Sequence, residues 1–416
     1  MNMIDTQLKD FCQKNTIQNQ QLNMARGNPC QEQLDLSNEL LTCVNKMNCI
    51  TRDGVDVRNY GGIDGINEAK DLFSKYMDVN VTEIIVAGNS SLNLMYNALA
   101  LALIQGTTNG PGWLSQGAIK FLCPTPGYDR HFSLCESLGI QMIAVPLNED
   151  GPDMDIVENL VKSDHLIKGI WCVPKYSNPT GICYSDETIN RLAFMDTAAG
   201  DFRIFCDNAY AVHHLGNKGT QIANLLEACK LASNPERAYL FGSTSKLTFP
   251  GAGVAMVAAS EKNISYFRKQ LGFQTIGPDK INQLRHVNFF QDIDGLMTHA
   301  NLHANILRKK FDVILDVFDQ YLSSGNLASW RRPDGGYFIS VNLLPGCAKK
   351  VVDLAKTFGL TLTPAGATFP YGYDAEDRNI RIAPSSLTVE DAKLASEILC
   401  KCIVSVSSSV HPNLHN

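Results

Sequence analysis

Residues Arg237–Gly253 read RAYLFGSTSKLTFPGAG. Ala238–Phe241 is an apolar run with strand character. It ends in Gly242-Ser243-Thr244-Ser245, Lys246 follows, and Phe249-Pro250-Gly251-Ala252-Gly253 closes the stretch. This order predicts a lysine at the C-terminal end of a buried strand, the edge where open α/β sheets bind ligands. Such a lysine serves chemistry when its surroundings lower its pKa or a carbonyl partner holds it. Otherwise it caps the strand and points into water. Ser243 and Ser245 place hydroxyls beside it, suited to a phosphate.

Working outward, strand and helix patterns alternate on both sides. Glu83–Ala87, Ala118–Cys123, Gln141–Val145, Gly169–Val173, Phe202–Cys206 and Val254–Ala259 are further short apolar runs. Ile66–Met77 and Leu92–Ile104 show apolar residues at helical spacing. The alternation predicts an α/β fold whose mainly parallel sheet is sandwiched by helices. Beyond it, Gln291–Leu322 reads as one long helix, kinked at Gly295. A smaller α+β unit follows: strands at Gly336–Asn342 and Asn379–Ala383, helices at Ala348–Phe358 and from Val389 to about Cys402. Residues 1–25 read as a helix and a polar lead-in, and 405–416 as a polar, frayed tail. The expected domains are 51–304 for the large one, and 1–50 with 305–416 for the small one.

Composition narrows the function classes. The 416 residues are 44% hydrophobic and 19% charged, ordinary for a soluble globular protein. A net charge of -6 without a Lys/Arg run argues against binding nucleic acid or a membrane surface. No stretch approaches the ~18–20 apolar residues of a membrane span, and the N-terminus has no signal-peptide core. Thirteen cysteines are scattered without a C-x-x-C pair, which reads as reduced thiols in a cytoplasmic protein. No clustered ligands suggest a metal site.

Several loaded loops stand at predicted strand ends. Gly88-Asn89-Ser90-Ser91 opens a helix, where N–H groups and the helix dipole favour an anion; a plain serine N-cap would look the same. Tyr128 follows a Pro-x-Pro-Gly turn and either presents a ring face or packs on the core. Asp207 directly follows a buried strand and needs a cation or strong donors there. Tyr210 lies three residues on, and Asn178 sits at another strand end. Arg378 and Arg381 flank a strand of the small unit; Arg381 suits a carboxylate, and Arg378 reads as a solvated charge. Together these groups ask for a phosphate, a ring with a cationic nitrogen, a ring oxygen and an aldehyde. Pyridoxal 5′-phosphate has all four.

Over nearly its whole length the chain resembles the fold-type-I, class I/II pyridoxal-phosphate aminotransferases. More narrowly, it is similar to the divergent actinobacterial aspartate aminotransferases, which are related to the effector domains of MocR-type regulators. The segments carrying the likeness are ARGNPCQEQLDLS, RNYGGIDGINEAKDLF, CPTPGYDRHF, YSNPTG, FGSTSKLTFPGAGVA and GPDKINQLRHVNFF. The resemblance implies that Lys246 is the Schiff-base lysine and Asp207 the partner of the pyridinium nitrogen. It implies that Asn178 and Tyr210 bond the ring oxygen and that Tyr128 stacks on the ring. Asn89, Ser90, Ser91, Ser243 and Ser245 would form the phosphate cup, and Tyr60 would reach the phosphate of a neighbouring subunit. Arg381 would clamp the substrate α-carboxylate. One departure stands out: the main family has an arginine seven or eight residues after the lysine, and here Gly253 and Val254 occupy those positions.

The implied activity is ping-pong transamination between a small-molecule amino acid and a 2-oxo acid, with aspartate and 2-oxoglutarate the expected pair. The implied assembly is a homodimer with shared active sites. Arg26 and Arg285, ahead of Lys280, are the candidates for the distal carboxylate, because a guanidinium binds a carboxylate in bidentate fashion. The alternatives are a broad-specificity or aromatic aminotransferase, a lyase or decarboxylase on the same fold, and a sensor domain without turnover. Only some eighty residues precede the first sheet strand and RNYGG lies among them, so a DNA-binding module like that of the regulators is not expected.

Overall fold

The computed structural model describes residues 22–216, 219–323 and 325–412. The helix expected near the N-terminus therefore lies almost wholly outside the described residues. The strands are β1 (Leu22–Asn23), β2 (Ile84–Val86), β3 (Lys120–Thr125), β4 (Gln141–Asn148), β5 (Gly151–Pro152), β6 (Ile167–Cys172), β7 (Arg203–Asp207), β8 (Ala238–Ser243), β9 (Ala255–Ala259), β10 (Ala328–Trp330), β11 (Ile339–Leu343), β12 (Leu360–Thr361) and β13 (Asn379–Ile382). The helices are α1 (Gln31–Asp35), α2 (Asn67–Met77), α3 (Ser91–Ile104), α4 (Asp129–Ser137), α5 (Met154–Ser163), α6 (Asp186–Phe194), α7 (Leu225–Leu231), α8 (Glu261–Leu271), α9 (Lys280–Phe290), α10 (Ile293–Leu322), α11 (Ala348–Thr357) and α12 (Val389–Val410).

Eight strands form the central sheet in the order β2-β9-β8-β7-β6-β3-β4-β5. The block from β8 to β4 is parallel, while β9 runs antiparallel to β8 and β2, and β5 to β4. Side chains alternate between two faces, as the pleat requires. Leu122, Ile204, Cys206 and Leu240 pack on the face that α2, α5, α6, α7 and α9 cover. Phe121, Phe205, Tyr239 and Phe241 pack on the face covered by α3, α4 and α8. The chain order reverses between β3 and β6, and the loops after these strands diverge there to leave a crevice.

A second core joins Leu22, Met24, the C-terminal half of α10, α11 and α12 to the antiparallel sheet β10-β11-β13. Two expectations change here. The break before the long helix falls at Gln291, whose φ of 66° ends α9. Gly295 lies in the first turn of α10, where its N–H donates to the Asp292 cap at 2.9 Å, and not at a kink. The last helix runs on to Val410 instead of fraying from Ser405. Val406 packs in the second core, and the Ser408 hydroxyl bonds back to the Val404 carbonyl at 2.9 Å, so the serines do not interrupt the helix. No helix among the described residues is long and apolar enough to cross a membrane.

Candidate active site

The turn after β8 is tied down by Thr244. Its carbonyl accepts from the Leu247 and Thr248 N–H groups at 2.8 and 2.9 Å. Its hydroxyl accepts from the Val254 N–H at 2.9 Å and lies 3.1 Å from His286 Nε2. Thr244 thus faces the core, which leaves Ser243, Ser245 and Lys246 on a cavity of about 180 Å³. The two serine hydroxyls bond to each other at 3.2 Å. Lys246 Nζ stands 5.6 Å from the Tyr210 ring centre and 5.7 Å from that of Tyr337. Burial lowers the Lys246 pKa from its ordinary value; Asp207 opposes this and Arg381 adds to it.

Asp207 ends β7 and is buried. His131 Nε2 lies 3.1 Å from its Oδ2, and a carboxylate acceptor requires the proton on that nitrogen. His131 in turn stacks flat on Trp171, with ring centres 4.2 Å apart and planes at 5°. Oδ1 of Asp207 has no hydrogen-bond partner among the described residues. Tyr210 lines the same wall, and burial holds its phenol well above the ordinary range. Tyr128 precedes α4, packs edge-on to His131, and has its phenol pushed up to about 12, chiefly by burial.

Ser90 and Ser91 complete the cavity at the N-terminus of α3. Ser90 occupies the cap position, yet its hydroxyl makes no capping bond and stays available. At the position of the expected arginine, a Cβ on Gly253 would come within 3.2 Å of Ser245 Oγ. The hydroxyl-rich turn is packed closely there. Asn178 borders the cavity from the loop after β6. Its Oδ1 accepts from Arg381 Nη1 at 3.4 Å, which connects the cavity to β13 and the second core.

Residues 3–412 match the family model described as aspartate amino-transferase. An aspartate aminotransferase of Corynebacterium glutamicum is 41% identical over 396 residues, covering 95% of this chain and 91% of the relative. The crystal structure of an aspartate transaminase from the same organism aligns with TM-score 0.95 and 40% identity, over 98% of this chain and 95% of that one. The chain belongs to the aspartate aminotransferase family. The α-aminoadipate aminotransferase of Thermus thermophilus, solved with N-(5′-phosphopyridoxyl)-L-leucine, shares the fold at TM-score 0.77 and 19% identity, over 98% of each chain.

The remaining predicted residues lie around the cavity of this aminotransferase or away from it. Asn89 adjoins the cup: its carbonyl accepts from Ser245 Oγ at 3.3 Å, and its amide donates to the Gly251 carbonyl. Tyr60 is 82% exposed and does not line the cavity of its own chain. Lys280 holds the Tyr60 turn, donating to the Asn59 and Gly61 carbonyls at 2.6 and 2.7 Å, and so is committed to structure. Arg26 is exposed on a separate groove with Lys349 and Lys356. Arg285 is half-buried on α9, within electrostatic reach of Cys43. Arg378 pairs with Glu376 at 2.8 Å near the surface, as a strand charge should.

Sequence reasoning passed over His131, although it sits three residues after Tyr128 at helical spacing. It also passed over a polar ring around the lysine's main chain. Tyr337 Oη donates to the Lys246 carbonyl at 3.0 Å and accepts from Gln33 Nε2 at 2.9 Å. Gln33 also donates to His303 Nδ1 at 3.0 Å. His303 Nε2 is 3.1 Å from His299 Nε2, which reaches the Leu247 carbonyl at 2.7 Å. Gln33, at 0% exposure, was hidden in a segment with no local sign of burial.

Proposed function

We propose that this aminotransferase uses pyridoxal 5′-phosphate and acts on L-aspartate and 2-oxoglutarate, giving oxaloacetate and L-glutamate. The observation that carries the reading is Asp207 Oδ1, a buried acceptor with no hydrogen-bond partner among the described residues, on the wall of the cavity that holds Lys246. Such an oxygen fits a protonated ring nitrogen. The hydroxyls of Ser90, Ser91, Ser243 and Ser245, with the α3 N-terminus, fit a phosphate without an arginine.

Bound there, the cofactor supplies an aldehyde and an electron-withdrawing ring. Asp207 holds the proton on the ring nitrogen, and His131 fixes the carboxylate's orientation. Asn178 and Tyr210 orient the ring oxygen, and Tyr128 covers the ring face. Lys246, whose basicity burial lowers, would take the proton from the substrate's α-carbon and pass it to the carbon of the cofactor's aldehyde group. Arg381 binds the α-carboxylate through its buried guanidinium, and Asn178 sets its angle.

The choice of aspartate rests on the name of the C. glutamicum relative at 41% identity. Arg26 and Arg285 are our candidates for the distal carboxylate. Both lie off the cavity of their own chain, so we assign that contact, with Tyr60, to a homodimer that shares its active sites. Cores on both faces of the central sheet, and a further core that gathers Leu22, Met24, the C-terminal half of α10, α11 and α12, support a large domain over 51–304 and a small one from 1–50 and 305–416. The test is product analysis with the cofactor-loaded enzyme, 2-oxoglutarate, and aspartate, alanine or an aromatic amino acid as donor. Oxaloacetate and glutamate should form fastest from aspartate. Equal rates with an aromatic donor would replace the substrate assignment with a broad-specificity one.

A further inference from the structure

Arg381 carries a charge almost fully removed from water, its side chain being 6% exposed. A buried guanidinium needs a counter-charge. Asp129 provides it: Nη1 donates to Asp129 Oδ1 at 2.7 Å. The other contacts of the guanidinium are long and neutral, with Asn178 Oδ1 and Thr363 Oγ1 each at 3.4 Å and Phe338 beneath it. Asp129 differs from its partner. It is 30% exposed at the side chain and is the first residue of α4. The cap residue before it, Tyr128, makes no side-chain capping bond, and of the first-turn N–H groups that of His131 is bonded to the Tyr128 carbonyl at 3.0 Å. A carboxylate leaving Arg381 finds there both solvent and the positive end of a helix dipole.

We propose that Asp129 is an exchangeable counter-ion for Arg381, holding the guanidinium until a substrate α-carboxylate displaces it. Asp129 thereby sets the affinity of the site for carboxylates. The inference rests on Arg381 being the α-carboxylate clamp, as proposed above. Every substrate of a transamination, amino acid or 2-oxo acid, presents a carboxylate to the same arginine. Each must break one ion pair to make another. Exchange of this kind keeps Arg381 paired in every state and lowers the net gain from binding. Removing Asp129 leaves an uncompensated buried cation, and an incoming carboxylate then gains the full pairing energy.

The test measures binding of maleate, an unreactive dicarboxylate, to the cofactor-loaded enzyme by calorimetry, alongside steady-state kinetics. Asp129→Asn should tighten maleate about tenfold and lower KM for both the amino acid and the 2-oxo acid, with kcat changed less than about twofold. Asp129→Glu, which keeps the charge, should stay near wild type. Should the Asn variant fold poorly, Asp129→Ser removes the charge with a smaller polar side chain at the helix start. Unchanged or weaker maleate binding in a folded, uncharged variant would overturn the proposal and make Asp129 a residue that merely orients Arg381. Arg381→Gln separates the two layers. If maleate binding survives Arg381→Gln, the clamp reading fails. If it is lost there but unaltered in Asp129→Asn, only the exchange proposal fails.

Discussion

Asp207, Ser243 and Lys246 stand at, or within three residues of, the ends of two neighbouring parallel strands, β7 and β8. Other pairs at the site are assembled otherwise. Arg381 meets Asp129 across 252 residues of chain, and Gln33 meets Tyr337 across 304. The first group inherits its geometry from a ladder of main-chain hydrogen bonds. The second depends on how the second core docks on the first. The groups proposed for proton transfer thus stand at the edge of the hydrogen-bonded sheet, and the arginine proposed for substrate recognition stands on a seam between cores. Seams of that kind can be retuned by one substitution without disturbing the sheet.

The largest effect should come from the sheet side. Lys246→Ala removes the group proposed to move the α-proton, and the rate should fall about 10²–10⁴-fold or more, with visible cofactor absorbance lost as well. A folded variant with near-normal kcat would break the contrast at its root. On the seam, Arg381→Gln should cost about 2–4 kcal/mol in kcat/KM for aspartate and alanine alike, since both carry an α-carboxylate. Arg285→Gln and Arg26→Gln sharpen the same side. The one that meets the distal carboxylate should lose a similar amount for aspartate and little for alanine.

Acid titration probes the anchor beneath the lysine. Burial lowers the His286 pKa to about 4, against 6.5 for an ordinary histidine. The unfolded chain therefore binds a proton between those values that the folded chain refuses. Stability is fully present above pH 6.5 and falls as pH drops toward 4, by on the order of 2–3 kcal/mol for this group. Denaturant midpoints measured across that window should show the slope, and His286→Gln should make it shallower without abolishing it, because burial also lowers His213, His214, His299 and His303. A slope unchanged in that variant would remove His286 from the account. The smallest effect is expected from Gln33→Leu. Its loss opens the ring around the Lys246 carbonyl and should cost about 1–2 kcal/mol of stability, for unpaired buried groups at Tyr337 and His303. The rate should change less than in any variant above, because the β8 turn keeps its Thr244 anchor.

By itself the sequence determined the alternation of strands and helices, and with it the sheet edge that carries Lys246, Asp207, Ser90 and Ser243. Periodicity says which side of a segment is apolar, and a polar residue directly after an apolar run marks the end of a strand. Those signals are local, and the sheet preserves them in space. Only the tertiary structure decided that Asp129 pairs with Arg381, that His131 stands behind Asp207 and that Gln33 is buried. It also decided that Arg26 and Arg285 lie off the cavity of their own chain, and that α12 continues to Val410. Each of these depends on which distant group supplies the missing charge, hydrogen bond or apolar contact. A buried ion or amide is tolerated only when a partner is brought to it, and nothing in the residues beside it names that partner.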